Sequence, residues 1–230
     1  MGSPSHSSSK MKIKALLFDW DGVVIDSASL HCRSWELLSE ELDKPLPSNH
    51  FEVGFGKRNE TIIPEILNWT NDATQINLWG RRKEQLYRQL GKKEGITLLS
   101  GVKEFLELAY KQSFLLCVCT STEKKNVLLA MKQHGLEKFF HEIIASEDVT
   151  HGKPNPEVFL KGSCKLGCNP DECVVFEDSP HGILAAKKAK MKTIALSTTH
   201  PEKDLKELTP DLILASFVNQ SIDIIHSLDT

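Results

Sequence analysis

The stretch Ile13-Lys-Ala-Leu-Leu-Phe-Asp-Trp-Asp-Gly-Val-Val24 decides how the rest of the chain is interpreted. Its first part, 13–18, is a short and mostly apolar run, typical of a buried β-strand. The run stops at Asp19-Trp20-Asp21-Gly22, where the glycine supports a turn. Such a strand carries two carboxylates to its tip, where one can attack as a nucleophile while the other moves a proton. Acidic turns after strands are also common, so this pattern alone leaves function open.

Short apolar runs of the same kind recur along the chain, and helical patterns lie between most of them. The runs cover 114–119, 142–145, 173–176 and 193–196. Strands that alternate with helices favour a parallel sheet covered by helices on both faces. We therefore predict an α/β fold with a Rossmann-like, doubly wound parallel sheet.

The segment between the first two runs has a different pattern. Apolar residues recur at helical spacing over 28–42, 62–67 and 78–90, and Gly54–Arg58 forms a glycine-rich basic loop. We predict a small α-helical cap domain over residues 27–95, inserted into a sheet domain that covers 11–26 and 96–230. The Ser-rich residues 1–10 lack the apolar segment of a signal peptide and are predicted to be a flexible tail.

The composition narrows the class of partner. The chain has 230 residues and a net charge of −3, from 28 basic and 31 acidic residues that are well mixed, so no basic face for nucleic acid or an anionic membrane is expected. Its apolar runs are far too short to span a bilayer. Six cysteines without a paired CxxC arrangement favour reduced thiols and a cytoplasmic location. We expect a small-molecule partner, and a monomer or weak homodimer.

Three more polar groups follow apolar runs. Thr120-Ser121 could hold phosphate oxygens through a hydroxyl and turn N–H groups, Lys153 could neutralise a phosphate, and Glu177-Asp178 could complete a metal site. Each also has an ordinary explanation: a strand end, a solvated loop lysine, and an acidic preference at a helix start. Their shared position favours function, because ligands of open parallel sheets bind at the carboxyl ends of the strands.

Taken in order, these motifs resemble the haloacid dehalogenase-like phosphatase superfamily over nearly the whole chain after the tail. The resemblance implies that Asp19 is a nucleophile that becomes an aspartyl phosphate, and that Asp21 is the general acid and base. It implies Mg²⁺ on Asp19, on the backbone carbonyl of Asp21 and on Asp178, with Glu177 nearby or ligating. Residues expected to grip the phosphoryl group are Thr120, Ser121 and Lys153.

Within that family, Ser27 to Trp35 and Arg58 are similar to the beta-phosphoglucomutase branch and to its sugar-phosphate phosphatase relatives. His31 and Trp35 lie four residues apart on one helical face, so both can face the site; a partly buried helix histidine is the alternative for His31. The resemblance places Ser27, His31 and Arg58 in the cap as substrate residues. Two departures argue against the mutase branch: a count back from Gly101 puts Arg88 at the position expected for the mutase's cap lysine, and Ser27 replaces a hinge threonine.

Three functions follow from this pattern. The first is a Mg²⁺-dependent phosphatase of a small phosphorylated metabolite, preferably a sugar or polyol phosphate. The second is a sugar phosphomutase, in which the phosphoryl group passes to a second hydroxyl instead of to water. The third is a binding protein that keeps the fold without catalysis, against which the intact set of acids and Lys153 argues.

Overall fold

The computed structural model describes residues 13–229, so the predicted tail lies outside the described residues. A parallel six-stranded sheet forms the centre, in the order β5-β4-β1-β6-β7-β8. A second, antiparallel ribbon joins β2 and β3. The strands are β1 (Ala15–Phe18), β2 (Ile25–Asp26), β3 (Thr97–Leu98), β4 (Leu115–Cys119), β5 (Glu142–Ile144), β6 (Cys173–Glu177), β7 (Lys192–Leu196) and β8 (Leu212–Leu214).

The helices fall into two groups. Between β2 and β3 lie α1 (Ala28–Leu42), α2 (His50–Gly54), α3 (Asn59–Thr61), a π-helical turn (Ile62–Ile66) and α4 (Ala73–Glu94). The others follow sheet strands: α5 (Val102–Lys111), α6 (Lys124–His134), α7 (Glu157–Lys165), α8 (Pro180–Lys188), α9 (Glu202–Lys206) and α10 (Asp223–His226). Among the described residues, no helix is both long enough and apolar enough to cross a membrane.

Both faces of the main sheet are buried under helices. Phe18 and Phe176 stack at 4.6 Å on one face, where side chains of α5, α6 and α10 pack. On the other face Leu17 and Val175 pack with side chains of α7 and α8, such as Phe159. The predicted doubly wound α/β fold is therefore confirmed. The sequence pattern missed β8 because its three residues are too short for a clear period.

The helical segment from α1 to α4 has a small core of its own. Trp35, Leu38, Ile63 and Trp69 are buried there in one cluster with Leu86 of α4. The chain leaves and re-enters the sheet domain through the β2–β3 ribbon, where Ile25 pairs with Leu98. The segment is thus packed within itself and tied to the sheet by two adjacent strands.

Strand register places the polar side chains side by side. Phe18 is aligned with Val118 on one side and with Phe176 on the other. The residues that follow these three, Asp19, Cys119 and Glu177, therefore lie together at the carboxyl ends of β1, β4 and β6. Because parallel strands end at the same edge, one crevice collects their terminal groups.

Candidate active site

Three buried carboxylates meet at the carboxyl edge of the sheet. Asp19 follows β1, and Glu177 and Asp178 lie at the end of β6. One carboxylate oxygen from each lies within 4.8 Å of the others. Hard divalent cations such as Mg²⁺ prefer oxygen ligands of this kind. The donor set therefore fits a hard divalent cation.

A lysine from a different loop lies between two of these acids. Lys153 Nζ donates to Asp19 Oδ1 at 2.7 Å and to Glu177 Oε1 at 2.6 Å. Its side chain is only 4% exposed, and the two carboxylates raise its pKa above the ordinary value against the effect of burial. Lys153 therefore carries a positive charge at the bottom of the crevice.

One ammonium group does not balance three acids. Burial raises the pKa of Asp19 to about 7, although Lys153 opposes the shift and Glu177 adds to it. Burial, followed by the charges of Glu177 and Asp19, also raises the pKa of Asp178 well above its ordinary value. These shifts arise because ionised carboxylates in a poorly solvated cluster repel one another. A further positive charge, such as a bound cation, would therefore be stabilised by the cluster.

Glu177 is fixed by the turn that starts α8. Its Oε2 accepts hydrogen bonds from the backbone N–H of Asp178 at 2.8 Å and of Ser179 at 2.9 Å. A Cβ on Gly182 would lie 1.7 Å from Glu177 Oε1, so only glycine leaves space for this carboxylate. The side chain thus orients Lys153 with one oxygen and the turn with the other.

Asp21 is held by two residues at the start of the helical segment. Ser27 Oγ donates to Asp21 Oδ1 at 2.5 Å, and His31 Nε2 lies 3.1 Å from the same oxygen. Burial alone would raise the pKa of Asp21, but His31 and the hydrogen bonds from His31 and Ser27 lower it. The ionised form is favoured, which suits a proton acceptor.

His31 continues this network into α4. Its Nδ1 lies 2.6 Å from Lys83 Nζ, and its ring stacks on Tyr87 at 4.3 Å between centroids. A lysine ammonium only donates, so Nδ1 accepts and Nε2 carries the hydrogen that points at Asp21. Lys83 also donates to Glu84 Oε1 at 3.0 Å. The acid at the tip of β1 is thereby linked to a buried ion pair of α4.

Thr120 and Ser121 lie in the turn after β4. Thr120 is buried, and its Oγ1 accepts a hydrogen bond from the backbone N–H of Thr122 at 3.1 Å. That contact uses a lone pair and leaves the hydroxyl hydrogen available to donate. Ser121 lines the cavity described next. Both hydroxyls are thus placed at the same edge as the acids.

A cavity of about 230 Å³ lies between the helical segment and the sheet edge. Its lining includes Asp21, His31 and Lys83, the basic loop residues Lys57 and Arg58, and the aromatic Phe51 and Phe55. Arg58 Nη1 also donates to the backbone carbonyl of Thr150 at 3.2 Å, across the boundary between the two parts. The volume is below the roughly 300–1,000 Å³ usual for ligand pockets, which suits a small metabolite.

A family model described as haloacid dehalogenase-like hydrolase matches residues 16–196. The chain belongs to this family. The match includes the acid cluster, Lys153 and the whole helical segment, so it confirms the family indicated by the motifs. The family's name places the chain among hydrolytic enzymes.

The relatives of this family member include phosphatases and beta-phosphoglucomutases. A chloroplastic 5-amino-6-(5-phospho-D-ribitylamino)uracil phosphatase of Arabidopsis thaliana is 33% identical over 82% of this chain. The matched part spans about half (51%) of that protein's length. A phosphorylated carbohydrates phosphatase of Thermotoga maritima is 28% identical over 85% of this chain and 90% of its own length.

A solved structure extends the likeness to the whole fold. The HAD hydrolase of Entamoeba histolytica superposes with a TM-score of 0.85 at 29% identity, covering 94% of this chain and 99% of that one. The sheet and the inserted helical segment are therefore both shared with a known family IA hydrolase.

Counting back from Gly101 along the sequence gave the wrong residue of α4 for the cap lysine's position. Arg88 does not enter the cavity lining; its Nη1 donates to Glu123 at 2.8 Å and to Asn126 at 2.8 Å. The lysine of α4 that lines the cavity is Lys83. The count failed because it crossed the loop between α4 and α5, whose length the sequence does not fix.

A helical period could have found Lys83. Leu86, Tyr87 and Leu90 follow it at i+3, i+4 and i+7, which is the spacing of one buried face. A lysine on such a face is expected to have a buried partner. Glu84 and Asn126, by contrast, lie in charged or polar runs, and no local signal marks them as buried.

Proposed function

We propose that this chain is a magnesium-dependent phosphatase that hydrolyses a small sugar or polyol phosphate through an aspartyl phosphate on Asp19. The observation that carries the proposal is the pair formed by buried Asp19 and Lys153, with Asp21 two residues away at the same strand end. A nucleophile, a phosphate-binding cation and a proton carrier are thereby gathered in one crevice.

The chemistry assigned to the chain's own residues has two steps. Asp19 attacks phosphorus, the bond to the leaving oxygen breaks, and protonated Asp21 gives that oxygen its proton. Water then attacks the aspartyl phosphate and passes a proton to ionised Asp21. This step releases inorganic phosphate and restores both acids. Ser27 and His31 support this exchange by holding the Asp21 carboxylate in place through its Oδ1.

A magnesium ion would be held by Asp19, Asp178 and the backbone carbonyl of Asp21, with Glu177 at the edge of the site. When bound, it would offset negative charge on the transferring oxygens. The fit rests on the three clustered carboxylates and on the raised pKa values of Asp19 and Asp178. Thr120, Ser121 and Lys153 would hold the phosphoryl oxygens.

The substrate class is inferred from the cavity and from relatives. The cavity is small, and its cap side offers Arg58, Lys57 and His31, which suit hydroxyl and anionic groups on a small metabolite. The Arabidopsis protein is named for a substrate with a phosphorylated ribityl chain and the Thermotoga protein for phosphorylated carbohydrates. We place specificity in residues 27–95, acting as a cap that excludes water until the substrate is bound.

A sugar phosphomutase is the second candidate. It is favoured by Lys83, which lies in the cavity as the cap lysine expected of the mutase branch. The two activities share the residues named above and differ in the acceptor of the phosphoryl group. Product analysis separates them: β-glucose 1-phosphate with Mg²⁺ and a trace of sugar bisphosphate gives glucose 6-phosphate from a mutase and free phosphate from a phosphatase.

The main experiment measures phosphate release from a broad panel of phosphorylated metabolites, with Mg²⁺ and after chelation. We expect Asp19→Asn to abolish turnover, because an amide cannot carry the phosphoryl group. Full activity in Asp19→Asn would refute the mechanism. Full activity after chelation would show that the reaction needs no metal. Repeating the panel with Arg58→Ala and His31→Ala should change the substrate ranking.

Location and assembly complete the proposal. All six cysteines are free thiols. This fits a reducing compartment, and we propose the cytoplasm. We propose a small phosphorylated metabolite as the ligand, with no nucleic-acid or membrane partner, and a monomer or weak homodimer.

A further inference from the structure

Asn126 links the helical segment to the sheet domain through two opposite charges. Its Nδ2 donates to Glu84 Oε2 at 2.5 Å, and its Oδ1 accepts from Arg88 Nη1 at 2.8 Å. Since arginine only donates and a carboxylate accepts, both partners fix the amide in the same orientation. Asn126 is 1% exposed and Glu84 is 4% exposed.

The same amide also contacts the turn proposed to bind phosphate. Asn126 Nδ2 lies 3.3 Å from Thr122 Oγ1, and the backbone N–H of Thr122 donates to Thr120. Asn126 itself is absent from the cavity lining, whereas Thr122 and Glu84 belong to it. Asn126 is therefore placed to orient other groups without touching a ligand.

Glu84 connects this contact to the acid at the tip of β1. Its Oε1 accepts from Asn59 Nδ2 at 2.8 Å and from Lys83 Nζ at 3.0 Å. Lys83 in turn donates to His31, which contacts Asp21. His31 lies on α1, which packs on α4 within the helical segment. Docking of Glu84 on Asn126 therefore helps to set where Lys83 and His31 lie relative to Asp21.

We propose that Glu84 and Asn126 are positioning residues: their contact docks the helical segment on the sheet domain and thereby aligns Asp21 with the phosphate-binding turn. Two ends of one network, at β1 and after β4, are joined only when α4 is seated on α6. If the helical segment is not docked, Asp19 and Lys153 keep their contact, but Asp21 loses the support of this network. The kinetic part of this inference rests on the proposed phosphatase.

Asn126→Asp tests the contact by placing a second carboxylate against Glu84 without changing size. We expect kcat to fall at least tenfold, because like charges at this distance repel in a buried site. The affinity for inorganic phosphate in the presence of Mg²⁺, measured by calorimetry, should change less than threefold, since Thr120 and Lys153 belong to the sheet domain. General disruption would instead weaken phosphate binding as much as turnover.

The double variant Glu84→Gln with Asn126→Asp restores an acid and an amide in exchanged positions. We expect it to recover at least threefold of the kcat lost in Asn126→Asp, because the new amide can donate to the new carboxylate. Asn126→Ala removes the contact without adding charge. It is used in place of Asn126→Asp if that variant does not fold. Gln133→Leu is the matched control on α6: it removes hydrogen bonds to the Gly91 carbonyl and the Ile96 N–H, and kcat should stay within threefold.

Hydrogen–deuterium exchange reports docking without any need for catalysis. In the wild type with Mg²⁺ and phosphate, amides of 80–90 and 124–130 should be protected, and Asn126→Asp should increase their exchange while Gln133→Leu leaves the 124–130 amides unchanged. Wild-type kcat and exchange in both Asn126 variants, or a double variant no better than Asn126→Asp, would overturn the proposal. A wild type that releases no phosphate would refute the phosphatase, while the exchange result would still decide the docking contact.

Discussion

Lys153 and Asp19, which are 134 residues apart in the chain, are joined by a hydrogen-bonded ion pair of 2.7 Å. Lys153 also contacts Glu177, so a single ammonium group bridges the ends of β1 and β6. A buried charge pair of this kind is costly to break because the remaining partner loses its compensation. The pair therefore has consequences for both activity and stability.

Replacing Lys153 by Met should lower kcat/KM by roughly 10²-fold or more, which is the scale for losing one charged or hydrogen-bonding group at the reacting oxygens. The variant should also gain more thermal stability from Mg²⁺ than the wild type does, because the ion would be left as the main positive charge among the acids. Unfolding midpoints with and without Mg²⁺ measure this. Lys161→Met, at an exposed ion pair with Glu157, is the control. An equal Mg²⁺ effect in Lys153→Met and wild type would contradict the assignment.

Replacing Asp21 by Asn should slow turnover by about 10²-fold or more, the usual scale for losing a general acid or base. The amide oxygen can still accept the hydrogen bond from Ser27, so the local structure should hold. Binding of inorganic phosphate should therefore survive while hydrolysis is lost. Steady-state kinetics and calorimetry on the same preparation measure the two effects, and near-normal turnover would mean that another group moves the proton.

Replacing Gly22 by Ala should damage the metal site. Gly22 has a φ of +78°, and an added Cβ would lie 2.0 Å from Asp178 Oδ2. Gly135 also has a positive φ, +65°, but a Cβ there would meet nothing within 4 Å. Both changes put an L-residue in the left-handed region at a cost of about 1–2 kcal/mol, so their difference isolates the collision with Asp178 and its neighbour Thr199. We expect Gly22→Ala, but not Gly135→Ala, to need a higher Mg²⁺ concentration for activity. Identical Mg²⁺ titration curves for the two variants would contradict this prediction.

Replacing Glu84 by Gln should remove part of the acid sensitivity of folding. Burial by itself would raise the pKa of Glu84, but Lys83, His31 and two amide hydrogen bonds lower it from 4.5 to about 2. Because the folded-state pKa is the lower one, ionised Glu84 stabilises the fold above about pH 4.5, and this contribution is lost as the pH falls toward 2.

The free energies of unfolding of wild type and Glu84→Gln should therefore converge by about 2 kcal/mol between about pH 6 and about pH 3. Urea unfolding at several pH values measures the two curves. Glu104→Gln, at the start of α5, provides a control for general changes in charge. Parallel curves for wild type and Glu84→Gln would contradict the low pKa of Glu84.

The order of elements could be predicted because each leaves a local pattern in the sequence. The helix predicted over 28–42 has those bounds, and all five sheet strands predicted from apolar runs match within one or two residues. β8 was missed, since three residues carry too little periodicity. The residues proposed for the site were found because parallel strands end at a common edge, which turns sequence order into spatial proximity.

The network around Asn126 could not be predicted in this way. Glu84 and Arg88 are both charged residues of α4, yet Glu84 is buried with partners and Arg88 is partly exposed. Which side of a polar helix is buried depends on the surface that it meets, and α6 lies more than thirty residues further along the chain.

The sequence by itself determined the α/β sheet, the inserted helices and the set of acids, hydroxyls and lysine at the strand ends, since hydrophobic periodicity and strand tips are local properties. Only the tertiary structure decided that Lys153 bridges Asp19 and Glu177, that Lys83 rather than Arg88 reaches His31, and that Asn126 receives Glu84. These pairings depend on how two separately packed parts of the chain meet. Buried charges and amides must find partners across that boundary, and their choice is set by geometry that no local pattern contains.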